Sequence, residues 1–192
     1  MNANCGLRSE LRRKSLHLTM IVVPLGLVVV PGLWRVVLFG GTSLVLILDL
    51  LRLSWPRFGR WFQRHLGRFA RGQETRSPLG LTYFLVASTL VVLLFPMQVA
   101  IASQLFVVLG DAAAALIGRR WGRNRWWGKS IEGALACLVV CFVAGLWVLA
   151  DWKLSLVGAT VAALVEFLPI PVDDNLRIQL ASALAIQWVS SG

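Results

Sequence analysis

The sequence predicts an all-α fold, a polytopic transmembrane helical bundle of about seven spans plus one cytoplasmic interfacial amphipathic helix. Hydrophobic residues make up 57% of the 192 positions and charged residues 15%, whereas soluble domains are about a quarter charged. The charges cluster between long apolar runs, and no strand-like alternation precedes a glycine-rich turn. We therefore expect residues 1–192 to form a single integral membrane domain.

The spans are predicted from their length, because a helix needs about 20 mostly apolar residues to cross the hydrocarbon. The first run lacks the small-residue cleavage site of a signal peptide, so we expect it to be retained as a span. The predicted spans are 16–33, 35–51, 79–96, 99–117, 133–150, 153–169 and 175–190.

Lysines and arginines predict the orientation, since short basic loops stay on the cytoplasmic side. The N-terminal segment, the 52–78 loop and the 118–132 loop are basic, while the other connections carry only Arg35 and Lys153. This alternation places the N-terminus in the cytoplasm. The net charge of +10 then reflects topology and contact with anionic lipid or phosphate rather than nucleic acid binding.

The 52–78 loop has a helical pattern of its own. Aromatic and leucine side chains recur on one face, and arginines recur on another. This pattern predicts an interfacial helix on the cytoplasmic leaflet. It is interpreted as a surface anchor, and the alternative is that its arginines hold anionic headgroups or help attract a nucleotide. The apolar positions are Phe58, Trp61, Phe62, Leu66 and Phe69, and the basic ones are Arg57, Arg60, Arg64, Arg68 and Arg71.

The first polar motif precedes the first span. Glu10, Arg13, Lys14 and His17 are spaced i, i+3, i+4 and i+7, so all four lie on one helix face. Such a face can bind phosphate and present a titratable group. The alternative is a basic flank that sets topology, with a Glu10–Lys14 pair worth about 0.3 kcal/mol.

The second motif lies at the cytoplasmic end of the fourth span. Gly110, Ala114, Gly118 and Gly122 recur every four residues and form a small-residue stripe against which another helix can pack. Asp111 is different, because a carboxylate within a span costs about 2.5 to 3.5 kcal/mol and usually faces a cavity, a partner or an ion. We expect Asp111 to be functional.

The third motif, around Lys129, Ser130 and Glu132, enters the fifth span. It is similar to the tail of a P-loop, but Arg123 stands where that loop requires glycine. Helix N-termini attract anions, so the residues alone leave phosphate binding and a topology signal as equal alternatives.

The fourth motif, Asp173, Asp174 and Asn175, precedes the last span. These residues suit a helix N-cap, and their oxygens also suit Mg²⁺, which takes few carboxylates plus substrate phosphates. The predicted topology returns them to the side of Asp111 and Lys129.

Other polar residues receive simpler interpretations. Asp49 and Arg52 are predicted to be a snorkelling pair at a span end, and Glu74 lies where the basic loop returns to the membrane. The sequence contains no Ser/His/Asp order, HExxH motif or Cys/His cluster that would indicate hydrolase or zinc chemistry.

The four motifs in this order resemble the polyprenol kinase family, which includes dolichol kinases, phytol kinases and CTP-dependent diacylglycerol kinases. The resemblance implies transfer of the γ-phosphoryl group of a nucleoside triphosphate, typically CTP, to the hydroxyl of a membrane lipid alcohol. It also suggests a compact member from a bacterial or archaeal plasma membrane. Asp111, Lys129, Ser130 and Glu132 would belong to the nucleotide and metal site.

On this resemblance the residues receive provisional roles in phosphoryl transfer with Mg²⁺ as cofactor. The lipid tail is expected between spans, along the stripe at 110–122. The catalytic candidates are Asp111, Asp173, Asp174 and His17; the phosphate-binding ones are Lys129, Ser130, Arg119, Arg120, Lys14, Arg13 and Asn175; the metal ligands are Asp111, Asp174 and Glu132; Glu10 and Glu74 are further candidates.

Two other functions are considered. Phosphatidate cytidylyltransferases share a Gly-Asp-x-x-Ala segment, but their longer Ser-Pro-x-Lys-Thr run is not reproduced by residues 127–130. A small transporter or scaffold would carry polar residues near the membrane midplane, whereas those of this chain gather at span ends.

Overall fold

The architecture was analysed in a computed structural model of the chain. The structure describes residues 17–66 and 77–191. The candidates Glu10, Arg13, Lys14 and Glu74 therefore lie outside the described residues.

The described chain is helical almost throughout, and the all-α prediction is confirmed. A helical turn at His17 leads into the first helix. The helices are α1 (Val22–Val29), α2 (Pro31–Ser54), α3 (Pro56–Leu66), α4 (Gly80–Leu94), α5 (Met97–Leu105), a π-helical turn (Phe106–Gly110), α6 (Asp111–Arg120), α7 (Ile131–Leu149), α8 (Trp152–Phe167) and α9 (Asp174–Ser191).

Three of these helical segments are long and apolar enough to cross a membrane. They are Pro31–Ser54, Met97–Arg120 and Ile131–Leu149, while His17–Val29 and Gly80–Leu94 are shorter apolar helices. The predicted first span is shorter than expected because the helix ends at Val29, one residue before the break at Val30 and Pro31. The count of seven spans stays a prediction.

The core is built around the continuous segment Met97–Arg120. In its most apolar stretch 67% of the residues are buried, against 17% in Pro31–Ser54 and 28% in Ile131–Leu149. Phe106, Val107 and Val108 are buried at its centre, where α7, α8 and α9 pack around it. Its C-terminal half is therefore held from several sides.

The small-residue stripe is confirmed as a helix-packing surface, and its partner is α7. A Cβ added to Gly110 would lie 2.5 Å from Cys141 Sγ, and one added to Gly118 would lie 2.6 Å from Ser130 Oγ. Because α7 and its cap pack closely against Gly110 and Gly118, this geometry gives no support to a lipid tail along residues 110–122, and that expectation stays a prediction.

The closeness of α6 and α7 predicts a large penalty for adding one methyl group. A Cβ at Gly133 would lie 2.7 Å from the Ala114 backbone oxygen, which cannot move without shifting α6. We expect Gly133→Ala to lower the free energy of unfolding by about 1 to 3 kcal/mol, measured by thermal unfolding in detergent. Gly40→Ala is the control, since nothing lies within 4 Å of its added Cβ. Equal melting temperatures for both variants would contradict the close packing.

Asp49 and Arg52 form an ion pair, but it is buried rather than snorkelling. Arg52 donates to Asp49 Oδ1 at 2.7 Å and to the Ser77 carbonyl at 2.7 Å. Asp49 Oδ2 accepts from Leu79 N at 2.8 Å and from Thr82 Oγ1 at 2.7 Å. Both charged groups therefore have hydrogen-bond partners in residues 77–82 as well as each other, and these bonds tie the end of α2 to the start of α4.

The predicted interfacial segment forms helix α3 as far as Leu66. Arg57, Arg60 and Arg64 are exposed, Trp61 is half exposed, and Arg52 lies over the Phe62 ring at 5.4 Å. The helix is amphipathic as expected, and its contact with a membrane surface stays a prediction.

A short β-hairpin, which the all-helical prediction lacked, connects α6 to α7. Strand β1 (Arg125–Trp126) pairs antiparallel with β2 (Lys129–Ser130). The turn residues Trp127 and Gly128 have φ of 50° and 83°, the left-handed pair that two-residue hairpin turns require. Trp127 meets the Phe167 ring edge-on at 6.2 Å, which docks the hairpin on the end of α8.

Candidate active site

A cavity of about 270 Å³ opens where α6 and α8 end and α7 and α9 begin. Charged residues from four separate parts of the chain line it, as the predicted topology requires. Its lining is Asp111, Ala114, Ala115, Gly118, Arg119, Arg125, Gly128, Lys129, Ser130, Gly133, Glu166 and Asp174.

Asp111 begins α6 directly after the π-helical turn. His17 Nε2 lies 3.6 Å from Asp111 Oδ2 and 3.2 Å from the Val107 carbonyl oxygen. Because both neighbours are acceptors, Nε2 is best placed as the protonated nitrogen. His17 is 8% exposed and is the described residue of the N-terminal motif that lies beside Asp111.

Lys129 reaches the cavity from strand β2. Its ammonium lies 3.1 Å from Glu166 Oε1 and 3.7 Å from Asp174 Oδ2, and it also donates to the Glu166 carbonyl oxygen. The hairpin register pairs Trp126 with Lys129. Lys129 is therefore presented by a short strand and held by acids from α8 and α9.

The late acidic motif divides into different environments. Asp174 lines the cavity, where Arg177 pairs with its Oδ1. Asp173 Oδ1 accepts from Asn175 N at 3.0 Å and from Asn175 Nδ2 at 2.8 Å, as a helix cap does. Asn175 is buried and also donates to the Gly80 carbonyl at 3.2 Å. Of the three residues of this motif, all of which the structure describes, Asp174 alone lines the cavity.

Ser130 and Glu132 organise the start of α7. Ser130 Oγ accepts from Gly133 N at 3.0 Å and caps the helix, while the residue also lines the cavity. Glu132 Oε1 accepts from the backbone N–H groups of Arg123 and Asn124 at 3.1 and 3.2 Å. Glu132 is not among the described residues that line the cavity. This geometry therefore does not support its predicted role as a metal ligand.

The two predicted arginines also separate. Arg119 lines the cavity, whereas the Arg120 guanidinium lies over the Trp121 ring at 5.4 Å. Arg125, which sequence reasoning did not select, lines the cavity and donates to the Gly118 carbonyl at 3.1 Å.

Glu166 is the main residue that sequence reasoning missed. It is 7% exposed and lies near the end of the apolar helix α8. The available signal was the same as for Asp111, because a carboxylate in an apolar span is costly and usually functional. Arg177, which donates to Leu168 O at 2.9 Å, had no comparable signal.

The lining combines acids with cations, which suits a polyphosphate and a divalent cation. Within residues 17–66 and 77–191, no group of three or more His, Cys, Asp or Glu side chains is placed to hold a metal. Mg²⁺ is commonly bound through one or two carboxylates plus substrate phosphates. Asp111 and Asp174 fit that mode, and Lys129, Arg119 and Arg125 fit phosphate oxygens.

Comparison with known proteins identifies lipid kinases as relatives. The chain is 29% identical to the CTP-dependent diacylglycerol kinase 1 of Schizosaccharomyces pombe over 73% of its own length and 74% of that protein. It is 30% identical to the dolichol kinase of Saccharomyces cerevisiae over 58% and 22% of the two chains. It is 32% identical to the phytol kinase of Synechocystis over 45% and 42%. No family model matches, and no solved structure matches.

Proposed function

Because this chain is a relative of the polyprenol kinase family, we propose that it transfers the γ-phosphoryl group of CTP to the hydroxyl of a membrane lipid alcohol. The acceptor in this proposal is an isoprenoid alcohol or diacylglycerol. The observation that carries the proposal is the cavity in which Asp111, Glu166 and Asp174 face Lys129, Arg119 and Arg125. Cationic groups suit the phosphates, and the acids suit a metal and a proton.

Phosphoryl transfer depends mainly on positioning and on neutralising charge on the equatorial oxygens. In this mechanism Lys129 and Arg119 bind phosphate oxygens of the nucleotide, and Arg125 lines the cavity beside them. Of the two acids that fit Mg²⁺, Asp174 would hold the ion together with substrate phosphates, and Asp111 is left for the proton. The ion would supply positive charge that offsets the charge of the transferring group.

Asp111 accepts the proton of the lipid hydroxyl in this mechanism, as the general base. His17, which lies 3.6 Å from Asp111 Oδ2, orients that carboxylate. The oxygen of the alcohol then attacks the γ-phosphorus, and CDP leaves. Asp173 and Asn175 act by capping α9, which places Asp174 on the cavity wall.

We also propose how the chain is arranged in the membrane. In this arrangement the seven predicted spans cross the bilayer as one domain, and α3 lies on its cytoplasmic surface with its arginines toward anionic headgroups. The cavity opens to the cytoplasm, where a soluble nucleotide meets a lipid-held alcohol. The charges of the 52–78 and 118–132 loops support this orientation.

A transfer assay tests the function directly. Purified protein in lipid nanodiscs receives γ-labelled CTP or ATP with diacylglycerol, phytol, dolichol or undecaprenol. We expect label in a lipid monophosphate, with CTP preferred as the donor. Absence of transfer to all four alcohols would overturn the kinase proposal. Label released in pyrophosphate with a lipid phosphate as substrate would instead establish a cytidylyltransferase.

A further inference from the structure

We infer that Glu166 is the positioning residue that sets the Lys129 ammonium against the γ-phosphoryl group. The inference rests on the proposed kinase function and deepens it, since it adds a residue from α8 to the nucleotide-binding wall. Glu166 acts through Lys129 and makes no contact with the reacting atoms in this assignment.

Lys129 contacts both the side chain and the backbone of Glu166. Lys129 Nζ lies 3.1 Å from Glu166 Oε1, and it also donates to the backbone oxygen of the same residue. The side chain of Glu166 is 9% exposed, whereas that of Lys129 is 28% exposed. One end of the pair is thus fixed inside the bundle, and the other reaches the cavity.

The donor count of an ammonium explains what this arrangement does. Lys129 has three N–H donors. It donates one to the Glu166 backbone oxygen, and the Glu166 carboxylate lies beside the ammonium as its ion-pair partner. Asp174 Oδ2 lies 3.7 Å from the ammonium, which is beyond hydrogen-bond length. Because Lys129 also lines the cavity, a phosphate oxygen can approach the ammonium there and replace Asp174 as its neighbour.

The backbone supports the same role. Glu166 is in the last turn of α8, one residue before Phe167, and Phe167 contacts Trp127 of the hairpin. Two adjacent residues of α8 therefore hold the hairpin, one through an ion pair and one through ring packing. A long flexible lysine side chain is restricted to one position by these contacts.

If Glu166 only positions Lys129, an uncharged side chain that keeps an oxygen acceptor can largely replace it. If Glu166 itself takes part in the reaction, its carboxylate is required. Glu166→Gln keeps an oxygen acceptor at Oε1, while Glu166→Ala removes it. We expect Glu166→Ala to lower kcat about 100-fold, as a misplaced group does, and Glu166→Gln to remain within about tenfold of the unmodified protein. The KM for the lipid alcohol should stay within about twofold, because in this assignment Lys129 binds the phosphate of the nucleotide and does not contact the alcohol.

A double-mutant cycle with Lys129→Ala makes the test specific. If Glu166 acts only through Lys129, the double variant should lose no more than about threefold beyond Lys129→Ala alone. Asp151→Asn serves as the control, because Asp151 caps the far end of α8 and asparagine caps equally well. Thermal unfolding of every variant in detergent identifies any that fail to fold. If Glu166→Ala fails to fold, Glu166→Gln replaces it in the cycle with Lys129→Ala.

Each outcome decides the question. Near-additive losses, or equal losses in Glu166→Gln and Glu166→Ala, would show that Glu166 acts on its own and would overturn the inference. Activity of Glu166→Ala equal to that of the unmodified protein would overturn it as well. An unmodified protein that phosphorylates no lipid alcohol would instead overturn the proposed function, and the inference with it.

Discussion

Replacing Asp111 with asparagine is expected to lower kcat for lipid phosphorylation about 1000-fold, which is within the range for loss of a general base. Asparagine is isosteric, and His17 Nε2 keeps its hydrogen-bond contact with the Val107 carbonyl oxygen at 3.2 Å. Folding should therefore be preserved while the carboxylate's capacity to take a proton is lost. Initial rates with labelled CTP at saturating lipid measure the effect, and thermal unfolding measures the fold.

Asp151→Asn is the matched control for this change. Asp151 lies at the start of α8, where its Oδ1 accepts from Lys153 N at 2.7 Å. The same substitution there changes charge without touching the cavity, and its activity should equal that of the unmodified protein. Asp111→Asn with activity within about tenfold of the control would remove Asp111 from the reaction.

Asp49→Ala is expected to have the largest effect on stability, lowering the free energy of unfolding by about 3 to 5 kcal/mol. Asp49 and Arg52 are 3% and 6% exposed. The alanine variant would leave the buried Arg52 guanidinium without its carboxylate and would remove the acceptor of Leu79 N and Thr82 Oγ1. Differential scanning fluorimetry in detergent measures the loss.

Asp151→Ala calibrates this measurement, because it also removes a carboxylate that accepts backbone hydrogen bonds. Its cap is exposed, so the expected loss is about 1 kcal/mol. If Asp49→Ala unfolds at the same temperature as Asp151→Ala, the buried pair does not hold α2 against α4 as described.

Several parts of the site were accessible from sequence patterns. Asp111 was predicted because a carboxylate in an apolar segment is costly. For Lys129 the residues alone left phosphate binding and a topology signal open, and the family resemblance made it a phosphate-binding candidate. Both residues line the same cavity as Asp174, and the membrane topology from which their meeting was expected stays a prediction. Such signals are local, and they depend only on neighbouring residue types.

Other assignments depended on contacts between segments distant in the chain. Asp173 and Asp174 are chemically identical and adjacent, yet Asp173 caps α9 and Asp174 faces the cavity. Arg119 and Arg120 separate in the same way. Adjacent helical residues point about 100° apart, so the surrounding helices decide which one reaches the cavity.

The sequence alone determined a helical membrane protein with its acidic and basic motifs at one end, because hydrophobic length and charge placement are properties of the chain itself. Only the tertiary structure decided that α7 fills the small-residue stripe, that Asp49 and Arg52 are buried and that Glu166 holds Lys129. These features arise from side chains separated by up to 37 residues, and their meeting depends on how helices pack. Close packing has no signature in any single segment.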